Sequence, residues 1–261
     1  MKLHRIYAIV LRFMFLFRRS YDRMSDVFYW PFIDILIWGL TSAYFQSLSA
    51  DSERIMSVLL GGLILWFVVW RAQYEISVNL LEDLWNKNLV NIFVAPTKFS
   101  EWIVAFFLIG LLKIVISVSF AAALSFALYR VNFFEYGWYL LPAIPILTMT
   151  GWAIGVTVSS IILRYGTKVQ TLAWTLTYIV SPFAAIYYPL GSLPPVAQNI
   201  AKFIPLSYVF ENARNLLTKG TINPNDLLIA FGLSFLYLCL GLLFLRNSFD
   251  KVLDKGLVKV Y

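Results

Sequence analysis

Residues 80–101 read LLEDLWNKNLVNIFVAPTKFSE, a polar stretch between two long apolar runs. Leu81, Leu84, Trp85, Leu89, Ile92 and Phe93 recur at helical spacing. Glu82, Asp83, Asn86, Lys87 and Asn91 fill the other faces, and Pro96 ends the pattern, because proline cannot continue a helix. The stretch therefore predicts a short amphipathic helix, about 80–96, joining two membrane spans. Its polar edge is where a soluble partner would hold the chain. An interfacial helix with no partner would carry the same pattern.

The composition explains why the flanks are read as spans. Of 261 residues, 60% are hydrophobic and 13% charged, whereas soluble domains run near 45–50% and about 25%. The net charge of +7 does not call for nucleic acid, since Lys and Arg gather on the cytoplasmic side of membrane proteins. The one cysteine, Cys239, and the one histidine, His4, leave no disulfide framework, metal cluster, Ser-His-Asp triad or Cys-His pair within the chain. No P-loop, H-E-x-x-H or EF-hand pattern occurs, so no nucleotide or metal site is expected here. The arginine-studded N-terminus lacks the uninterrupted apolar core of a cleavable signal.

In residues 2–19, Leu3, Ile6, Tyr7, Val10, Phe13, Met14 and Phe17 share one helical face, while Arg5, Arg12 and Arg19 recur every seven residues on another. Such a helix suits the membrane interface. Residues 1–26 are thus assigned to an interfacial helix and its linker, and 27–261 to one transmembrane domain. Six apolar runs follow, at 27–48, 55–78, 102–129, 138–163, 169–190 and 227–245, each near the ~20 residues that cross a ~30 Å hydrocarbon core. With both termini inside, the cytoplasmic segments hold fourteen Lys and Arg against five outside, which orients the chain. Between the fifth and sixth runs, prolines at 182, 189, 194, 195, 205 and 224 divide the chain into short apolar pieces. An outer re-entrant segment, about 184–220, is expected, acting either as a lid or as a simple cap. The fold expected is an all-α membrane protein of six spans.

Four charges fall inside the runs: Asp34, Arg71, Glu75 and Lys113. Each is costly in lipid and points to the bundle interior or a water-filled path. Asp34 and Arg71 each lie about 10 Å from the same end of their runs, and Arg71 and Glu75 are i,i+4 neighbours. An Asp34–Arg71–Glu75 cluster near the cytoplasmic mouth is therefore expected, either as a structural ion network or as a functional relay. Lys113 has no level partner by this reckoning. Trp66, Trp70, Trp152 and Trp174 lie within runs, as core or as a stacking path.

The stretch Y-Y-P-L-G-S-L-P-P at 187–195 and I-P-L-S-Y-V-F-E-N-A-R at 204–214 precede the last run. With the basic N-terminal helix, the six runs and the insert, they resemble the permease subunits of type-2 ABC exporters over nearly the whole chain. The family's aromatic-Pro, P-x-x-Y and E-x-x-R elements map onto Tyr188-Pro189, Pro205–Tyr208 and Glu211–Arg214, which the resemblance assigns to an outer gate. It makes the insert a coupling helix, with Glu82, Asp83, Leu84, Trp85, Asn86, Lys87 and Leu89 docking a separate nucleotide-binding ATPase. It further implies a homodimer in the cell membrane, ATP and Mg on the partner only, and no enzyme activity in this chain. The insert differs from the polysaccharide exporters' version, which favours an amphiphilic, drug-like or lipid cargo over a lipid-linked glycan. A membrane-embedded enzyme lacks a catalytic constellation. An ATP-independent channel or secondary transporter lacks the usual inverted repeat.

Overall fold

The computed structural model describes residues 1–48, 54–88, 91 and 98–254. Among them every element is helical. The long helices are α1 (Leu3–Arg19), α2 (Tyr21–Leu48), α3 (Ile55–Trp85), α4 (Phe99–Tyr129) and α5 (Leu140–Tyr165). The short α6 (Leu172–Val180) and α7 (Pro195–Ala201), then α8 (Pro205–Lys219) and α9 (Pro224–Asp254), complete the chain. A 3₁₀ segment, Phe133–Tyr139, leads into α5.

Among the described residues, four helical stretches are long and apolar enough to cross a membrane: Ile55–Trp85, Phe99–Tyr129, Phe133–Val169 and Pro224–Val252. The first of the six expected runs forms the 28-residue α2, whose Asp22, Arg23, Asp26 and Asp34 lower its hydropathy. The fifth expected run is not one continuous helix. Its apolar helical part, Leu172–Phe183, rises only ~18 Å, and Pro182 and Pro189 break the remainder into 3₁₀ turns and bends.

α3 is the axis. Its apolar residues run all round the helix, and they are buried by α2, α4, α5, α6 and α8 packed about it. The closest approach is to α5, where a Cβ on Gly151 would sit 2.6 Å from both the Ala72 Cβ and the Val69 carbonyl. One turn on, a Cβ on Gly155 would sit 2.8 Å from the Gln73 carbonyl. This Gly-xxx-Gly pair lets two backbones meet, the usual source of helix association where water gives no drive. α9 covers the other side of α5 and leaves Leu228, Phe235, Leu240 and Leu243 exposed.

Two boundaries differ from the sequence reading. The linker expected up to residue 26 shrinks to Ser20, a single extended residue between α1 and α2, because Tyr21–Asp26 continue as helix with Asp22 in the favourable first turn. The insert does not start a new helix at residue 80. Leu80, Leu81 and Leu84 stay in phase with Ile76 and pack beside Phe13, Trp102 and Phe106, so α3 runs on unbroken to Trp85. It stops at Asn86, and Lys87 takes a left-handed φ of 52°. Leu89, with residues 90 and 92–96 of the expected coupling helix, lies outside the described residues.

Candidate functional site

At the end of the bundle where α1 lies, here the near end, arginines from α1 and α2 meet carboxylates on α3 and α4. Arg12 pairs with Asp83, Arg23 with Glu82, and Arg5 with Glu101 at 3.6 Å. Glu101 also accepts from the Lys98 and Lys2 backbone N–H groups at 2.9 and 2.7 Å. The seven-residue spacing of Arg5 and Arg12 thus aligns both with acids on the two neighbouring helices. Phe13 seats edge-on against Phe106 beneath them, with 5.2 Å between ring centroids. Amphipathic α1 is therefore clamped along the near ends of α3 and α4.

This clamp changes the reading of the insert. Asp83 and Leu84 are buried, so neither forms a partner-facing edge. Asn86 and Lys87 are exposed. Trp85 is 50% exposed and donates its indole N–H to Gln170 Oε1 at 3.0 Å. Of the described candidate docking residues, Trp85, Asn86 and Lys87 present accessible surface, with Glu82 partly covered.

Farther along α3 lies the charge network. Arg71 donates to Asp26 Oδ2 at 2.7 Å and to Glu75 Oε1 at 3.4 Å. Lys113 donates to Glu75 Oε2 at 2.6 Å. All but Asp26 are buried. The structure brings Arg71, Glu75 and Lys113 together but puts Asp26 where Asp34 was expected. Counting depth from residue 27 set the start of α2 too late, and eight residues separate the two acids, about 12 Å of helix. Lys113 does have a partner, reached from α4.

Asp34 instead lines a cavity of about 290 Å³ walled by α2, α3, α4 and α6. Trp30, Trp66, Trp70, Trp174 and Tyr178 supply aromatic faces, and Arg71 and Asp26 close its near side. Trp66, Trp70 and Trp174, read from the sequence as core or path, belong to this wall; Trp152 does not, and stacks on Phe107 at 4.1 Å. One turn beyond Asp34 on α2, Trp38 stacks on Tyr187, 4.3 Å between centroids and 8° from parallel. Both rings line a second, more apolar cavity of about 740 Å³ at the far end, with Phe45, Val58, Leu59 and Arg214. The stack walls this second cavity, and Trp38 lies one helical turn from Asp34 of the first. Sequence reasoning passed over Tyr187; its place beside Tyr188 in the proline-rich motif was the available signal.

The far end is held by the motif residues. Arg214 donates to the Ala185 carbonyl and to Glu211, both at 2.7 Å, and Glu211 accepts from the Leu190 N–H at 3.3 Å. Burial pulls the Arg214 guanidinium below the usual arginine range, with Glu211 opposing. Ala185 has a left-handed φ of 58°, a conformation costly without glycine, so the Arg214 bond pins a strained turn. Tyr208 donates to the Lys202 carbonyl at 2.9 Å, Tyr188 to the Pro182 carbonyl at 2.6 Å, and Pro205 opens α8. Tyr188 and Arg214 line the far cavity, while Pro189, Pro205, Tyr208 and Glu211 lie outside its lining.

None of the curated proteins matches the chain. A family described as ABC-2 family transporter protein matches residues 40–245, from the second half of α2 into α9. A match over most of a chain built from long apolar helices identifies it: the protein belongs to the ABC-2 transporter family, as a membrane subunit.

Proposed function

We propose that this chain is the permease of an ATP-driven exporter, working as a homodimer with a separate ATPase subunit that binds ATP and Mg. The near end is then cytoplasmic and the far end faces outside. α1 lies in the interface, six segments cross the bilayer, and both termini are inside. α2 crosses despite its charges because Asp26 faces Arg71, Asp34 the cavity and Arg23 the Glu82 carboxylate. α6 and the pieces after it make the fifth crossing and the re-entrant outer lid.

The observation that carries this reading is the reach of α3. One unbroken helix of 31 residues, about 46 Å long, presents Trp85 at the near surface, Trp66, Trp70 and Arg71 to the inner cavity, and Val58 and Leu59 to the outer one. A push at Trp85–Lys87 is therefore felt along the whole path. The α1 arginines bind that same end, so α1 would move with it. ATP-driven closure of the ATPase pair would shift the population towards a state with the Trp38–Tyr187 stack parted.

Affinity purification from native membranes tests the proposal. A P-loop ATPase should copurify with the wild-type chain and be lost with Trp85→Ala, a surface change. A well-folded chain that transports with no ATPase present would contradict it. Leu84→Ala is unsuited to this test, because it empties a core position.

A further inference from the structure

We propose that the inner cavity takes a ring-bearing monocation, with its positive charge at Asp34 and its rings against the tryptophans. This rests on the exporter reading and names the substrate class of that path.

Charge comes first. Asp34 makes no hydrogen bond or ion pair among the described residues. The cavity's one guanidinium, Arg71, is already held by Asp26 and Glu75, and Lys113 by Glu75. Arg23, also near Glu75, is held by Glu82, so Asp26, Asp34, Glu75 and Glu82 are four carboxylates against the three cations Arg23, Arg71 and Lys113, an excess of one negative charge. A partly buried carboxylate without a counter-charge is costly in an apolar surround, and a cationic ligand removes that cost.

The walls supply the second part. Trp30, Trp66, Trp70, Trp174 and Tyr178 surround the acid, and the faces of such rings attract a cation, tryptophan best. At about 290 Å³ the space is at the small end of ligand pockets, which suits a ringed head group rather than a whole lipid. Entry is provided for: Trp30 and Tyr178 are 50% and 56% exposed and frame a mouth between α2 and α6. A neutral sugar would stack on the same rings but would leave the charge of Asp34 unanswered.

The test uses the purified full-length permease and two probes, radiolabelled tetraphenylphosphonium, a permanent monocation, and triphenylphosphine oxide, its neutral relative. Wild type should bind the cation more tightly. Asp34→Asn should weaken the cation by about tenfold or more, the scale of a desolvated charge contact, and leave the neutral probe unchanged. Asp34→Glu should retain binding of the cation. Trp174→Ala, which removes a ring and no charge, should weaken both probes. Unchanged cation affinity in Asp34→Asn, equal affinity of wild type for the two probes, or no effect of Trp174→Ala would each overturn the inference. An ATPase that copurifies while Asp34→Asn binds normally sinks only this inference. Probe binding as described with no ATPase partner sinks only the exporter reading.

Discussion

Trp38 and Tyr187 stack face to face on the wall of the outer cavity, one turn along α2 from Asp34 of the inner one, one ring from α2 and the other from the turn after α6. Such a contact contributes about 0.5–1.5 kcal/mol beyond its buried area, enough to bias a barrier and weak enough to part. Tyr187 is set by its neighbours: Arg214 ties the carbonyl of Ala185 and reaches that of Ile186 at 3.4 Å, so the ring rides on a turn that α8 controls.

Removing either ring should therefore connect the cavities. In a Cys239→Ser background with Ser117→Cys as the inner-cavity reporter, Trp38→Ala should raise labelling by a membrane-impermeant thiol reagent added outside several-fold. Equal labelling would mean that the barrier lies elsewhere.

Arg71 is buried with two carboxylates on it, so Arg71→Ala leaves Asp26 and Glu75 uncompensated. A stability loss of about 3–5 kcal/mol is expected, read as a lower unfolding temperature in detergent. A variant that assembles with unchanged stability yet no longer couples ATP hydrolysis to transport would instead make the network a relay.

Much of this was legible in the sequence, and the misses concern helix pairing and helix boundaries. Apolar periodicity yielded the helical runs, the prolines marked where the fifth would fragment, and the i,i+4 spacing placed Arg71 on Glu75. What periodicity does not contain is which helix faces which. The ion-pair partner of Asp83 is Arg12, 71 residues away, and no charge local to Asp83 distinguishes a buried paired acid from a solvated one. The resemblance put Leu84 among the docking residues of a separate short helix; with α3 continuous to Trp85, Leu81 and Leu84 pack inside the bundle instead. Asp26 lay outside the first apolar run as drawn, so the acid that Arg71 binds was assigned to a linker.

The α3–α5 contact gives a steric prediction. Gly151→Leu must push apart Ala72 and the Val69 carbonyl, and a loss of about 1–3 kcal/mol is expected from overpacking alone. Gly191→Ala, where an added Cβ meets nothing within 4 Å, should leave the thermal transition unchanged and serves as the control.

The α1 clamp is testable by a double-mutant cycle. Arg12→Ala and Asp83→Asn should each destabilise the near end, and together cost less than their sum, with a coupling of about 0.5–3 kcal/mol. Additive effects would mean that α1 is held by Phe13 and its apolar face rather than by the ion pairs.

The most direct measurement joins the two ends of α3. With the permease and its copurifying ATPase reconstituted together, the Ser117→Cys reporter is labelled from outside with and without a non-hydrolysable ATP analogue and Mg. Labelling should be faster when nucleotide is bound, and Trp85→Ala should abolish that acceleration. Labelling indifferent to nucleotide, in a complex shown to bind it, would contradict a path opened through α3.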